Sequence, residues 1–402
     1  MSLTRLDQGV CAPAGFRAAG VVAGIKPGRT LDLALVVSDS KAVAAGVFTT
    51  NRAAAAPVKL CGARLADGVA RGVVINSGCA NAVTGERGRR DAEAMADEAA
   101  ARLGIPASQM LVCSTGPIGS YLPMEKVRKG IAAAAGCLGK DDESAARAIM
   151  TTDTRPKRAG VEHERGWRLG GIAKGAGMIA PQLAPATPTS PTATMLAVLA
   201  TDALAGPDLL REVLEQAADL TFNAITIDGD TSTNDSVLIF ANGHSGIAPD
   251  GGELLEALLA VSQSLAEAIV ADGEGATKMV RVRVIRARDA EQAKRAARRV
   301  AESLLVKTSL YGGDANWGRV AAALGVAGVD LDLGRLGISI GGVGLVSEGR
   351  PKDEASHLEA RAALRAREVE IVCDLASGSA SAEMLTTDLT PEYVRLNAAY
   401  ET

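Results

Sequence analysis

The junction between Ala193 and Thr194 is the point at which the character of this sequence changes most abruptly. The residues before it, APATPTSPTA, have the proline-rich composition of extended or disordered backbone. The residues after it, MLAVLAT, predict a buried strand that begins at once. Composition alone favours an interdomain linker. A second interpretation is chemical: if the chain is cut before Thr194, that residue becomes an N-terminal threonine, which can act as a nucleophile with its own α-amino group as the base.

No histidine in this sequence has the setting of a catalytic base. His163, His244 and His357 all lie in polar, turn-like or surface-helix segments, so we predict that they are surface residues. The G-x-S-x-G pattern of serine hydrolases does not occur. Histidine and cysteine do not occur at the paired spacings of a zinc site. A hydrolase or transferase with this sequence therefore needs another base.

The run CSTGPIG offers a second group with catalytic potential. The apolar segment QMLVCS ends just before Thr115 and Gly116, which could present a hydroxyl and a backbone N–H to a ligand. Such donors stabilise an oxyanion, although an ordinary strand-to-turn glycine has the same pattern. A G-x-G sequence also occurs in KGAGMIA, but a proline-rich segment rather than a helix follows it, so we do not predict a dinucleotide site.

Strands and helices alternate along the chain, which predicts an α/β or α+β fold that must position these groups. Apolar runs predict strands at residues 31–38, 72–77, 109–114, 195–201, 236–242, 280–285 and 368–375. Amphipathic patterns predict helices at residues 90–104, 207–220, 252–273 and 289–308. In the segment VRVRVI valine alternates with arginine, which is typical of a strand with one solvated face.

Composition narrows the class of protein. The chain of 402 residues is 47% hydrophobic and 22% charged, which is ordinary for a soluble globular protein, and its length predicts two or three cores. A net charge of −4 and few aromatic residues argue against nucleic acid as a partner. We find no secretory signal and no apolar run as long as a membrane span, so no membrane partner is expected. Six cysteines without a C-x-x-C pair indicate reduced thiols in a cytoplasmic protein.

Taken in order, many segments of this sequence resemble the ornithine acetyltransferase family of arginine biosynthesis, also called bifunctional glutamate N-acetyltransferase/amino-acid acetyltransferase. The resemblance covers essentially the whole chain. The segments that carry it include INSGCANAVTG, CSTGPIG, AIMTTDTRPK, GGIAKGAGMIAP, ATMLAVLATDA, FNAITIDGDTSTNDS, ADGEGATK, SLLVKTSLYGGDANWGRV and YVRLNAAYET. Their number and order make the resemblance specific.

The resemblance implies a self-cleaving enzyme with an α/β fold of the N-terminal-nucleophile-like type, shared with self-cleaving aminopeptidases. Cleavage between Ala193 and Thr194 would give an α chain, residues 1–193, and a β chain, residues 194–402. The resemblance also implies a dimer of such α/β pairs, which is a heterotetramer. It implies that no metal or organic cofactor is required.

The functional positions of the family fall on particular residues of this sequence. Thr194 would be the nucleophile, and Thr115 and Gly116 would form the oxyanion hole. The positions that contact substrate would be Thr151, Lys174, Thr194, Glu274, Asn397 and Thr402. A cation such as Lys174 suits the α-carboxylate of acetylornithine or glutamate, and Glu274 could meet the side-chain ammonium of ornithine. The sequence leaves open which group meets which.

The implied reaction is a ping-pong transfer. Thr194 would take the acetyl group of N2-acetyl-L-ornithine, release ornithine and pass the acetyl group to L-glutamate, which gives N-acetylglutamate. Acetyl-CoA is a further candidate donor. Two alternatives stay open. One is a self-processing amidohydrolase or aminopeptidase of related fold, which would give the acyl group to water. The other is a silent amino-acid-binding protein that is never cleaved.

One segment departs from the family pattern. Residues 184–192, APATPTSPT, look inserted between MIAP and ATML. The inserted residues offer Thr187 as a second candidate cleavage position, but proline follows it, whereas a strand follows Thr194, so we predict cleavage before Thr194. Loop-closure entropy grows slowly with length, so we expect little effect of the insertion on stability. Its effect on cleavage stays open, because that reaction needs the Ala193 carbonyl held against the Thr194 hydroxyl.

Overall fold

The protein is described here by a computed structural model over residues 2–185 and 195–399. Within these residues the chain forms two compact units, in agreement with the two or three cores expected from its length. The first unit contains the residues up to Asn223 together with Asp230–Ile269. The second unit contains Ala224–Gly229 and the residues from Val270 onward. Both units combine helices with a sheet, so the predicted α/β class is confirmed.

The described part of the first unit is built on a ten-stranded sheet. Its strands are β1 (Leu3–Leu6), β2 (Phe16–Val21), β3 (Leu33–Thr49), β4 (Val69–Ser77), β5 (Met110–Thr115), β6 (Lys157–His163), β7 (Arg168–Lys174), β8 (Leu183–Pro185), β9 (Leu196–Thr201) and β10 (Ser236–Ala241). The order across the sheet is β1-β6-β7-β9-β10-β3-β4-β5, and β2 and β8 both pair with β3. The β4–β5 and β9–β10 ladders are parallel, and the other ladders are antiparallel.

Helices of the first unit cover the strands that carry the candidate site. The described helices are α1 (Ala56–Arg64), α2 (Gly85–Leu103), α3 (Met124–Gly136), α4 (Asp142–Ala148), α5 (Pro207–Leu220) and α6 (Gly251–Ala271), and α6 ends in the second unit. Apolar side chains of α1, α2, α3 and α4 share one core with β3, β4 and β5. Every residue of β5 is buried, which explains why its sequence is a continuous rather than an alternating apolar run.

By length and apolar composition α6 could cross a membrane, and it is the one described helix of which this is true. The expectation that no apolar segment reaches that length was therefore wrong. Half of the apolar window is buried inside the protein, on a face with Leu254, Leu258, Leu265 and Ile269 at helical spacing. A buried core helix has the same length and composition as a membrane span, so α6 alone does not indicate a membrane.

The proline-rich segment does not join two units. β8 pairs with β3, and β9 lies between β7 and β10 in the same sheet. The interpretation of this segment as an interdomain linker was therefore wrong, because the strands on both sides of it belong to the first unit. Composition could not show this, since a connection within one sheet uses the same residue types as a linker between domains.

The described part of the second unit is a six-stranded sheet with helices. Its strands are β11 (Met279–Ala287), β12 (Gly337–Ile340), β13 (Val343–Ser347), β14 (Arg350–Pro351), β15 (Glu368–Asp374) and β16 (Ala380–Thr387), in the order β14-β13-β12-β15-β11-β16. Its helices are α7 (Ala290–Ala301), α8 (Leu304–Tyr311), α9 (Trp317–Gly325), α10 (Glu354–Ala363) and α11 (Pro391–Ala399). In β11 the valines are buried, and Arg281 and Arg283 form ion pairs with Glu383 on the other face, which confirms the predicted wet face.

The helix predicted over residues 289–308 is two helices, α7 and α8. Ser303 separates them, because its side chain accepts the N–H of Val306 and so caps the start of α8. The remaining predicted strands and helices are confirmed; α5 has its predicted ends, and the others have at least one shifted end. Several described elements were not predicted from the sequence: the strands β1, β2, β6, β7, β8, β12, β13, β14 and β16, and the helices α1, α3, α4, α9, α10 and α11.

Candidate active site

Thr115 and Gly116 mark the end of β5. The Thr115 carbonyl oxygen accepts hydrogen bonds from the N–H groups of Gly78 (2.8 Å) and Cys79 (3.1 Å). Gly116 has φ +137°, and a Cβ atom there would lie 2.5 Å from the Cys79 nitrogen, so the position requires glycine. Because the C=O and N–H groups of a trans peptide point in opposite directions, the Gly116 N–H points away from Gly78 and Cys79. It can therefore donate to a group on the other side of the strand end.

Buried amides fix the turn that contacts this peptide. Asn76 donates to the Cys79 carbonyl oxygen (2.9 Å) and accepts from the Ser114 hydroxyl (2.6 Å). Asn234 donates to the carbonyl oxygens of Ser114 (2.8 Å) and Ala80 (2.6 Å). Both asparagines are buried, and satisfied buried amides rigidify the backbone that they join. Neither was singled out from the sequence, although both lie in segments that carry the family resemblance.

Lys174, the last residue of β7, joins Thr115 to Thr151. The lysine is buried, and its Nζ lies 2.8 Å from Thr151 Oγ1 and 3.3 Å from Thr115 Oγ1. An ammonium group only donates, so both hydroxyl oxygens act as acceptors here. The structure therefore brings together three of the residues selected from the sequence.

Asp153 is hydrogen-bonded to both segments that carry Thr151 and Lys174, and sequence reasoning missed it. Its carboxylate accepts the N–H of Thr151 (3.0 Å) and the N–H of Gly175 (2.7 Å), and it pairs with Lys157 Nζ (2.6 Å). Burial would raise the pKa of the Asp153 carboxyl, but the charges of Lys174 and Lys157 and these hydrogen bonds hold the pKa at about 2. Asp153 is therefore ionised at neutral pH.

A third lysine, Lys26, lies beside this group. Its Nζ donates to the carbonyl oxygen of Met150, the residue before Thr151 (3.0 Å). Burial lowers the pKa of the Lys26 ammonium, although Asp32 and Asp153 oppose the effect. Lys26 therefore adds a partly desolvated cation next to the Thr151 segment.

Three ammonium groups and two carboxylates lie in this cluster. The cations are Lys26, Lys157 and Lys174, and the carboxylates are Asp32 and Asp153. The Asp32 carboxylate already accepts the backbone N–H groups of Ala23, Ile25 and Lys26. A buried ammonium group such as that of Lys174 favours the binding of an anion such as a carboxylate.

The strand that follows the predicted cleavage position runs beside Lys174. Leu196 is the register partner of Lys174 on β7 and of Ser236 on β10. Met195 is fully buried, and its carbonyl oxygen accepts the N–H of Ser236 (2.8 Å). The residues selected from the sequence that lie outside the described residues are Ala193, Thr194 and Thr402.

In the second unit, Glu274 is joined to Asn397. Asn397 Nδ2 donates to Glu274 Oε2 (2.7 Å) and to the Tyr393 carbonyl oxygen (3.1 Å). The carbonyl oxygen of Gly275 accepts the Thr390 hydroxyl (2.8 Å), which ties the turn after Glu274 to the start of α11. Glu274 is half-buried and Asn397 is exposed, so both can meet a polar ligand.

A buried lysine, Lys307, fixes the end of β16, the strand that leads to α11. Lys307 Nζ donates to Thr386 Oγ1 (2.9 Å), to Thr387 Oγ1 (3.0 Å) and to the Thr387 carbonyl oxygen. Burial lowers the pKa of Lys307 to about 8, although nearby carboxylates favour its charged form. Asp388, the next residue on the chain, accepts the backbone N–H of Thr277 (2.8 Å). The end of β16 is thus held by Lys307 of α8, and the residue after it is held by the segment that follows Glu274.

The three histidines have different environments. His163 is buried, stacks on Trp167 with ring centroids 5.0 Å apart and accepts the Arg165 N–H at Nδ1 (3.2 Å). The prediction that it is a surface residue was therefore wrong, because its polar neighbours in sequence do not show that Trp167 stacks on it. His244 is exposed and His357 is half-buried.

All six cysteines are free thiols, as their spacing predicted. Cys137 is exposed, and the others are buried. Within the described ranges, no three His, Cys, Asp or Glu side chains are placed to hold a metal ion.

Comparison with known proteins gives consistent results. The sequence model of the ArgJ family matches residues 17–402. The arginine biosynthesis bifunctional protein ArgJ of Thermosynechococcus vestitus is 45% identical over 425 residues, which cover 99% of this chain and 99% of its own. The protein of the same name from Geobacter sulfurreducens is 46% identical over 402 residues, which cover 96% of this chain and 99% of its own. Among solved structures, the ornithine acetyltransferase of Mycobacterium tuberculosis complexed with ornithine is 48% identical, with a TM-score of 0.45 over 46% of this chain and 100% of that chain.

Proposed function

The chain belongs to the ArgJ family, and on that premise we propose that it transfers the acetyl group of N2-acetyl-L-ornithine to L-glutamate in arginine biosynthesis. The observation that carries the proposal is the hydrogen-bonded arrangement of Thr115, Thr151 and Lys174 beside the strand that follows Thr194. Acyl transfer through a threonine needs donors for an oxyanion and, for these substrates, a cation for a carboxylate.

Acylation is proposed to begin when the Thr194 hydroxyl attacks the acetyl carbonyl of acetylornithine. The Thr194 α-amino group accepts the hydroxyl proton and passes it to the departing α-nitrogen of ornithine. A bond forms between Thr194 Oγ and the acetyl carbon, and the bond between that carbon and the ornithine nitrogen breaks. Glutamate then attacks the acetyl-Thr194 ester in the same way, and N-acetylglutamate leaves.

Thr115 and Gly116 would stabilise the negative charge that develops on the acetyl oxygen. Lys174 donates to Thr115 Oγ1, so the hydroxyl proton of Thr115 is directed toward another acceptor. The Gly116 N–H is turned away from its own neighbours in the same manner. In comparable sites one such donor lowers the barrier by about 3–4 kcal/mol.

Lys174 would bind the α-carboxylate that acetylornithine and glutamate share. The buried ammonium group of Lys174 beside Thr115 supports this assignment, since a carboxylate is the partner that an ammonium group binds most strongly. Glu274, with Asn397 beside it, would meet the side-chain ammonium of ornithine. Thr402 is the remaining proposed substrate contact.

The active enzyme would arise by cleavage of its own chain. The Thr194 hydroxyl attacks the Ala193 carbonyl carbon, the C–N bond between Ala193 and Thr194 breaks, and the Thr194 amine is freed as the Ala193 acyl group moves to Thr194 Oγ. Water then hydrolyses this ester, which restores the Thr194 hydroxyl and leaves residues 1–193 and 194–402. The reaction so described needs no metal or organic cofactor, and acetyl-CoA is proposed as an additional donor. A dimer of the cleaved pairs in the cytoplasm completes the proposal.

Mass measurement and acetyl transfer test this function together. The parent protein should give two fragments under denaturing conditions, 1–193 and 194–402, whereas Thr194→Ala should give one intact chain. Thr187→Ala is the matched control and should be cleaved like the parent. The cleaved parent should form N-acetylglutamate from acetylornithine and glutamate. If acetate is released at a rate that does not depend on glutamate, the amidohydrolase alternative is favoured. If the parent is uncut and inactive, the silent binding protein is favoured.

A further inference from the structure

Asp153 connects the two segments that carry Thr151 and Lys174. One of its carboxylate oxygens accepts the Thr151 N–H (3.0 Å), and the other accepts the N–H of Gly175, the residue after Lys174 (2.7 Å). We propose that Asp153 is a positioning residue that sets the distance between Lys174 and Thr151, and so the affinity of the site for the α-carboxylate of both amino-acid substrates. This inference rests on the function proposed above.

The hydrogen bonds of Asp153 form a closed ring. Asp153 holds the backbone of Thr151 and Gly175, and the Lys174 ammonium closes the ring by donating to the Thr151 hydroxyl (2.8 Å). Bonds to backbone N–H groups hold the chain itself rather than a rotatable side chain, so a shift of the carboxylate would move Thr151 and Lys174 together. The Asp153 side chain has 0% exposure, so it acts through these neighbours and touches no substrate itself.

Asp153 also sets the charge at this position. Its carboxylate lies 2.6 Å from Lys157 Nζ and within electrostatic range of Lys174. With Asp153 ionised, its negative charge lies between the two ammonium groups and reduces their repulsion. An uncharged side chain at position 153 would leave two ammonium groups that repel each other, and Lys174 would be displaced from Thr151.

A second buried carboxylate of the first unit provides a matched control. Asp142 accepts the backbone N–H groups of Gly9 (2.7 Å) and Cys11 (3.1 Å) and pairs with Arg158 (2.8 Å). Its exposure is 2%, so it resembles Asp153 in burial and in the kind of partners that it has. These contacts include neither Thr151 nor Lys174.

The test compares Asp153→Asn with Asp142→Asn in the full-length, cleaved protein. Steady-state kinetics with acetylornithine and glutamate give kcat and KM, and p-nitrophenyl acetate, an acetyl ester without a carboxylate, reports acetylation of Thr194 alone. For Asp153→Asn we expect KM for both amino acids to rise by about tenfold or more, because Lys174 is misplaced. Acetylation by p-nitrophenyl acetate depends on Thr115, which Lys174 contacts, but not on a carboxylate contact, so it should fall by much less than kcat/KM for the two amino acids. Asp142→Asn should lose thermal stability without a change in KM.

A double-variant cycle shows whether Asp153 acts through Lys174. In a Lys174→Met background, Asp153→Asn should raise KM no further. If Asp153→Asn does not fold or is not cleaved, Asp153→Asn with Lys157→Gln removes both charges of the buried pair and is expected to show the same rise in KM. The inference would be overturned if Asp153→Asn left KM unchanged or if it raised KM in the Lys174→Met background as much as in the parent. It would also be overturned if the rate with p-nitrophenyl acetate fell as much as kcat/KM for the amino acids. If the parent protein itself does not transfer acetyl groups, the proposed function is wrong, whatever Asp153 does.

Discussion

At the scale of single residues, the peptide between Thr115 and Gly116 has its orientation set by its neighbours. Gly78 and Cys79 engage its carbonyl oxygen, so its N–H has one direction in which to point. Buried amides on the facing turn keep those neighbours in place. A donor that is fixed before the substrate arrives needs no reorganisation during the reaction, which is the main source of oxyanion stabilisation.

Gly116→Ala is expected to lower kcat by about 100-fold and to leave KM nearly unchanged. The new Cβ would lie 2.5 Å from the Cys79 nitrogen, so the peptide must turn away from its present orientation. Gly119→Ala is the control, because Gly119 also has a positive φ, +86°, but has open space around the added Cβ. Steady-state kinetics of both variants give kcat and KM. If both variants lose the same fraction of kcat, backbone strain rather than the direction of the Gly116 N–H explains the effect.

Thr115→Val removes the hydroxyl and keeps the shape of the side chain. We expect kcat to fall by roughly 100- to 1000-fold, whereas Thr115→Ser, which keeps the hydroxyl, should retain most of the activity. Acetyl transfer and the temperature of unfolding are measured for both variants. If Thr115→Val is less stable but fully active, the hydroxyl is a structural acceptor for Lys174 and no more.

Some residues of the candidate site could be predicted from the sequence alone, and others could not. Thr115 and Gly116 end an apolar strand, which periodicity shows, and their roles follow from family resemblance. Asp153 could not be identified, because its partner Gly175 follows β7, and the pairing of β7 with β6, which begins at Lys157, leaves no trace in the pattern of either segment. The burial of His163 escaped prediction for a similar reason.

At the scale of elements, β16 and the turn after it depend on Lys307. The lysine binds both threonines at the end of the strand, and Asp388 then binds the segment that follows Glu274. An element that was not predicted from the sequence therefore supports one of the proposed substrate contacts. The pattern ASAEMLTT is only partly apolar, so its place in the sheet depends on its ladder with β11 rather than on its own composition.

The free energy of unfolding should rise with pH above pH 8 because of Lys307. Its pKa is about 8 in the folded protein and 10.5 for a lysine in water. Between these values the unfolded chain binds more protons than the folded chain, so stability increases with pH there, by roughly 3 kcal/mol at most. Below pH 8 both states are protonated, and the contribution is constant.

Lys307→Met should lack this rise, and Lys352→Met, at an exposed position, should keep it. Urea unfolding of the parent and both variants between pH 7.5 and 10.5 gives the free energy of unfolding at each pH, and from it the slope of that free energy against pH. Slopes, rather than absolute stabilities, are compared, because methionine also leaves Thr386 and Thr387 without their donor. Parallel slopes in parent and Lys307→Met would contradict the prediction.

At the scale of the whole molecule, strands that precede Thr194 lie on both sides of the strands that follow it in the described ten-stranded sheet. β9 and β10, which follow Thr194, lie between β7 and β3, which precede it. The proposed cut would therefore leave the later segment hydrogen-bonded to the earlier one along both of its edges. This arrangement could not be predicted from composition, which favoured a linker, because strand order depends on long-range pairing.

The two fragments of the cleaved parent should remain together until the fold is lost. We expect one species of full-length mass by native mass spectrometry and size exclusion, and two fragments only in denaturant. Separation would require breaking the β7–β9 and β3–β10 ladders in the centre of the sheet. The unfolding midpoint of the cleaved parent should rise with protein concentration, because its unfolding releases two fragments, whereas the midpoint of the uncut Thr194→Ala chain should not depend on concentration. Fragments that separate in native buffer would contradict the prediction.

The position of β9 and β10 between β7 and β3 also has a consequence for how this enzyme could be encoded. Two genes, one for residues 1–193 and one for residues 194–402 preceded by a removable methionine, would need both polypeptides present while the sheet forms, because β9 and β10 have their neighbours β7 and β3 on the other polypeptide. Neither product alone would contain all the described strands of the ten-stranded sheet. A single reading frame delivers both segments in equal amounts and in one place, so the proposed cut after folding would give the protein a new N-terminus without requiring two separate polypeptides to find each other.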